Sequence, residues 1–122
     1  MSEASQLDPS AIERLRRLGG DDFTRKMLDL FLSYTEQKLA EARQALLDRK
    51  FEAVAKAVHP VQSSAGNVGA TRVQALASRI ESLATEPQGE PLEPLLAELG
   101  QAFDEVKVAL HEKKQALEAK IS

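Results

Sequence analysis

Ala57-Val58-His59-Pro60-Val61-Gln62-Ser63-Ser64-Ala65-Gly66-Asn67-Val68-Gly69-Ala70 holds one of the chain's two histidines and a run of small residues. On a helical wheel at about 100° per residue, Phe51, Val54, Val58, Val61, Ala65 and Val68 form one apolar stripe, as a half-buried helix requires. His59 falls well off that stripe. Its helical neighbours are Glu52, Ala55, Lys56, Gln62, Ser63 and Gly66, so the imidazole stands toward solvent among mostly short side chains. Pro60 withholds an N–H from the Lys56 carbonyl, which costs about 3 kcal/mol in a regular helix interior. Because Pro60 lies away from the valines, the pattern predicts a bend beside His59 and no break. Gly69 is suited to a left-handed C-terminal position, and Asn67 with Gly69 marks the reversal.

Upstream of this helix, Asp8-Pro9 has the form of a helix start, an acceptor followed by a residue with no donor to satisfy. Ile12, Leu15 and Leu18 give a short apolar face, Gly19-Gly20 stops it, and Asp21 can cap the next helix. That second helix is expected from about Asp22 to Leu47, with Phe23, Met27, Leu30, Phe31 and Tyr34 in its core-facing first half. Leu39, Ala42 and Leu46 continue that face. Downstream, Val73, Leu76, Ala77, Ile80 and Leu83 predict a helix over about 70–84. Thr85 to Glu90, with Pro87 and Gly89, reads as a loop. Pro91 and Pro94 fit the first turn of a last helix, whose apolar positions are Leu92, Leu95, Leu99, Phe103, Val106, Leu110 and Leu117. Its final turns are expected to extend past the core.

No segment alternates with period two for long enough to be a strand. The expected fold is all-α, an antiparallel four-helix bundle with an additional short N-terminal helix. Residues 1–7 are expected to be a flexible tail and 8–122 a single domain, for which 122 residues suffice without staples. The 43% apolar and 29% charged content is that of a globular domain. No apolar run nears the roughly 20 residues that span a bilayer. The start of the chain has neither a basic flank nor a hydrophobic segment, so no membrane association and a cytoplasmic location are expected. A net charge of -3, with basic residues scattered among acids, disfavours nucleic acid. A monomer is expected.

The chemistry narrows by what is missing. There is no cysteine, no HExxH, no histidine pair one turn apart and no glycine-rich loop with its lysine, so neither a metal nor a cofactor is expected. His111 stands on a highly charged helix end and reads as a solvated surface histidine. Around His59 the sequence holds no serine-plus-acid arrangement that would make a hydrolytic triad. A lone protruding imidazole is a good nucleophile near neutral pH. With Ala55, Ser63 and Gly66 clearing space beside it for another surface, it suits receipt of a group from another protein.

From His59 to Ala70 the chain resembles the histidine motif of histidine-containing phosphotransfer domains, the HPt family of multistep two-component relays. That motif has a histidine, a lysine three residues on, a glycine or serine next, small residues, and an Asn-hydrophobic-Gly-Ala turn. Here His59, Ser63, Ser64, Ala65, Asn67, Val68, Gly69 and Ala70 supply it. The likeness extends to Leu18-Gly19-Gly20, Asp22-Phe23, the Leu28–Leu32 run and the helix lengths. The resemblance implies a phosphocarrier and no enzyme: His59 takes a phosphoryl group on Nε2 from a receiver-domain aspartate and passes it to another. Its partners would be response-regulator receiver domains and a hybrid sensor histidine kinase, with Mg²⁺ and most catalytic groups in the receiver. The family lysine is Gln62 here, whose amide would donate to the phosphoryl oxygens without the charge. Lys56 and Ser63 would lend further support to that group. The competing class is a helical module that binds a receiver or kinase without transfer, a reading favoured by Gln62 alone.

Overall fold

The computed structural model describes residues 7–86 and 91–121. The expected tail lies outside these except for Leu7, and Pro87 to Glu90 of the expected loop lie outside them as well. Four helices run in order: α1 (Pro9–Leu47), α2 (Phe51–Val68), α3 (Thr71–Thr85) and α4 (Leu92–Ile121). Each packs on its neighbour in sequence, and α1 closes against α4. The pairings run in opposite senses. Asp29 of α1 meets Lys114 of α4, and Glu36 meets Lys107 at 3.7 Å. Arg49, just after α1, reaches Glu93 at 3.0 Å. The bundle is therefore antiparallel and all-α, and the described residues contain no sheet, only an isolated bridge between Leu7 and Ala70.

The short N-terminal helix is the first arm of α1, set off by non-helical backbone at Gly20 (φ 85°, ψ -175°). Asp8 caps it, accepting from the Ser10 amide at 3.0 Å and the Ser10 hydroxyl at 2.7 Å. Those bonds hold the Asp8 carboxyl below its ordinary pKa. After the kink, Asp21 accepts from the Arg16 guanidinium at 2.8 Å. The Thr24 hydroxyl donates to the Gly20 carbonyl at 2.7 Å.

The core-facing stripe of α1 departs from the expectation. Leu30 is 62% exposed, Phe23 is partly exposed, and Met27 and Tyr34 are half-buried. Thr24, Leu28, Phe31, Thr35, Leu39, Ala42 and Leu46 are buried instead. The two stripes differ by one position, and the buried one carries two threonines where the sequence offers aromatic side chains on the other. The Thr24 hydroxyl is satisfied by a backbone carbonyl, whereas that of Thr35 finds no partner among the described residues. Phe31 meets Phe103 of α4 edge to face, with ring centroids 6.0 Å apart.

On α2 the stripe Val54, Val58, Val61, Ala65 and Val68 is buried, while Phe51 at its start is partly exposed. Pro60 lies inside the helix without ending it. Every apolar position expected on α4 is buried, Leu117 included. Its last turns thus remain within the core, because the first arm of α1 lies beside them: Pro9, Ile12, Ala116 and Leu117 line one shallow cavity. Among the described residues no helix is long and apolar enough to cross a membrane.

Gly69 makes the reversal between α2 and α3, with φ 79° and the Ala70 amide donating to the Ala65 carbonyl at 2.8 Å. Asn67 is the exposed last-turn residue before it. The Asp8 amide donates to the Gly69 carbonyl at 2.8 Å. A Cβ at residue 69 would stand 2.5 Å from the Asp8 carbonyl oxygen. Glycine is required here twice, by conformation and by contact.

Candidate functional site

The two-residue reversal folds α3 back along α2, so residues equally far from Ala70 face each other. Gly66 and Gln74 do so close to the turn, where a Cβ at 66 would stand 2.8 Å from the Gln74 amide nitrogen. His59 and Glu81 do so eleven residues out on either side. The His59 side chain is 69% exposed, and its Nδ1 lies 2.7 Å from Glu81 Oε2. The Gln62 amide donates to the other carboxylate oxygen, Oε1, at 2.6 Å.

An ionised carboxylate only accepts, so in the neutral imidazole the shared hydrogen belongs to Nδ1. Nε2 then carries the lone pair, in the plane of the ring and away from α3. The wheel expectation for His59 holds, and the structure adds a group that sequence spacing did not single out. Glu81 sits at the border of the α3 stripe, one turn after buried Ala77 and one turn before Ala84, and is itself half-buried. Its signal was the hairpin register about Gly69-Ala70.

The other expected site residues divide. Lys56 and Ser63 are exposed on the same face as His59. Gln62 stands beside the histidine, but its donor is directed to Glu81. Gly66 is half-buried and faces Gln74. Ala55 is only 4% exposed and belongs to the core, so it cannot lie beneath a partner. The wheel placed it near His59 correctly; α2 is covered by α1 on one side and α3 on the other, which buries that edge too.

On the α1 side, Met27, Leu30, Phe31 and Tyr34 join Ser64, Asn67 and Val68 of α2 around a groove of about 240 Å³. The apolar side chains displaced from the core thus form a surface next to the histidine helix. Among the described residues no group of three or more His, Cys, Asp or Glu is arranged to hold a metal ion.

His59 is thus presented to solvent from within a helix of a four-helix bundle, with its Nδ1 engaged by Glu81. The Hpt domain family profile matches residues 26–109, and the chain belongs to that family. No curated protein matches the sequence. The fold is similar to the crystal structure of histidine-containing phosphotransfer protein B from Pseudomonas aeruginosa PAO1. The TM-score is 0.86 at 20% identity, covering 91% of this chain and 96% of that one. The role that goes with the family is histidine phosphotransfer within a phosphorelay, as an intermediate and not as an enzyme.

Proposed function

We propose that His59 is the phosphoacceptor, taking a phosphoryl group on Nε2 from a receiver-domain aspartyl phosphate and passing it to a second receiver aspartate. The observation that carries this is the exposed imidazole whose Nδ1 is bonded to Glu81. With the hydrogen on Nδ1, the Nε2 lone pair points outward, toward an approaching partner. The bundle contributes position: it holds the nitrogen at a fixed place on a rigid helix, so that docking alone brings it in line with the phosphorus. Mg²⁺ and the groups that stabilise the transferring phosphoryl belong to the receiver in this reading.

The partner would settle on Ser63, Ser64 and Asn67 of α2 and on Met27, Leu30 and Tyr34 of α1, a partly exposed strip whose α1 side is apolar, of the kind that marks interaction surfaces. Lys56 and Ser63 are close enough along the helix to meet phosphoryl oxygens, by charge and by a hydroxyl donor respectively. A cytoplasmic monomer meeting receiver domains in turn, one of them in a hybrid sensor kinase, fits this arrangement. The experiment is to mix the protein with a panel of phosphorylated receivers and Mg²⁺. Wild type gains one acid-labile, base-stable phosphate, mapped to His59 by mass spectrometry at neutral pH, and His59→Gln gains none. A protein that binds receivers but is never labelled is a docking module.

A further inference from the structure

We propose that Gln62 acts on the transfer step through Glu81 and not through the phosphoryl group, making Gln62-Glu81-His59 a chain of positioning that ends at Nδ1. This rests on His59 being the phosphoacceptor. Three observations lead to it. Gln62 Nε2 and His59 Nδ1 take different oxygens of the same carboxylate, at 2.6 and 2.7 Å, so the two bonds reinforce one orientation and do not compete. Gln62 and His59 are one turn apart on α2, so both ends of the clamp move with one helix. Glu81 is half-buried, and holding its unbranched side chain in one rotamer costs entropy that two bonds to the carboxylate offset better than one.

The identity of residue 62 then has a consequence. A lysine bonded to the same oxygen would place a full positive charge against the carboxylate and compete for its attraction. The glutamine amide fixes the carboxylate and leaves its negative charge directed at the imidazole. During transfer, the Nε2 lone pair forms the N–P bond while the O–P bond of the partner's aspartyl phosphate breaks, its electron pair leaving on the aspartate carboxylate. The ring keeps the Nδ1 hydrogen and becomes formally positive. That charge develops 2.7 Å from Glu81 Oε2, a stabilisation that grows toward the product and so lowers the barrier. Gln62 and Glu81 touch neither phosphorus nor its oxygens in this scheme; they are positioning residues.

The test uses the full chain as wild type and as Gln62→Ala, Glu81→Ala, the double variant and Gln62→Lys, each checked for an unchanged helical spectrum. Imidazole ¹⁵N NMR of the free protein reads the His59 tautomer, and labelling by a phosphorylated receiver reads the rate. Wild type is expected to be mainly the Nδ1–H tautomer. Glu81→Ala loses that preference and slows labelling on the order of tenfold, the equivalent of one hydrogen bond to a charged group. Gln62→Ala loses part of both, and adds nothing further in the Glu81→Ala background. Gln62→Lys keeps the tautomer and slows labelling several-fold. Equal slowing by Gln62→Ala with and without Glu81, an unchanged tautomer ratio in Glu81→Ala, or acceleration by Gln62→Lys each overturns the proposal and assigns residue 62 to the phosphoryl group. A wild type that takes no label from any receiver it binds overturns the phosphoacceptor reading itself, whatever the tautomer.

Discussion

The amide of Asp8 donates to the carbonyl of Gly69 at 2.8 Å, joining the start of the chain to the reversal between the two helices that carry the site. Gly69→Ala would strain this joint twice, by placing a side chain at φ 79° and by driving a Cβ into the Asp8 carbonyl. The expected loss is about 2–4 kcal/mol, from a left-handed penalty of about 1–2 plus the displaced backbone contact. A denaturant midpoint indistinguishable from wild type would show that the joint is slack.

Asp8 also predicts a pH dependence. Its folded pKa lies below the ordinary 3.8 because Ser10 donates to the carboxylate, first from its hydroxyl and then from its amide. A depressed carboxylate stabilises the fold fully above its unfolded value of 3.8 and loses that contribution as pH falls toward the lower folded value. Asp8→Asn retains an N-cap acceptor but does not titrate, so its stability should fall less steeply than wild type between about pH 4 and 2. Thermal melts across that range decide; parallel curves would remove Asp8 from the acid response.

Leu28 and Leu30, two residues apart, should behave as opposites. Leu28→Ala opens a hole in the core and is expected to destabilise by about 2–5 kcal/mol. Leu30→Ala should stay within about 0.5 kcal/mol. Leu30→Glu should nevertheless weaken receiver binding by roughly tenfold or more in titration calorimetry, because it puts a charge in the apolar strip beside α2. Undiminished affinity would place the partner elsewhere.

Thr35 predicts a gain. Its buried hydroxyl has no hydrogen-bond partner among the described residues, so Thr35→Val removes a desolvated polar atom at nearly constant shape. Stability should rise by about 1 kcal/mol. A loss of that size would mean the hydroxyl is bonded in solution.

Those residues also mark where sequence reading worked and where it stopped. The α2 and α4 stripes were legible because each helix has one dense run of apolar positions at helical spacing and no rival face. α1 has two candidate stripes. The richer one, Phe23-Met27-Leu30-Tyr34, lies at the core's edge, exposed at Phe23 and Leu30 and half-buried at Met27 and Tyr34, because the bundle buries threonines whose polarity hides them from a hydrophobic pattern. His59 was legible from its own helix. Glu81 was not, since it becomes a partner only when a two-residue turn sets the register of α3 against α2. Ala55 failed for a related reason: a single-helix wheel does not show that a second neighbour covers its edge. Leu117 is buried by a segment about a hundred residues earlier in the chain, which no local pattern reports.

Seen as mechanics, the α2-α3 hairpin is a pair of lever arms. Each arm from Ala70 to His59 or Glu81 is about 16 Å long at roughly 1.5 Å per residue. Angular play of ~3° at the fulcrum would move their tips apart by ~0.8 Å, enough to turn a 2.7 Å contact into one too long to count as a hydrogen bond. The Leu7-Ala70 bridge and the Asp8-Gly69 bond sit at that fulcrum. Two residues ahead of the first helix therefore govern the tolerance of a hydrogen bond at the far end of the arms. A deletion that removes Leu7 and Asp8 should loosen the alignment of His59 while leaving its own helix intact.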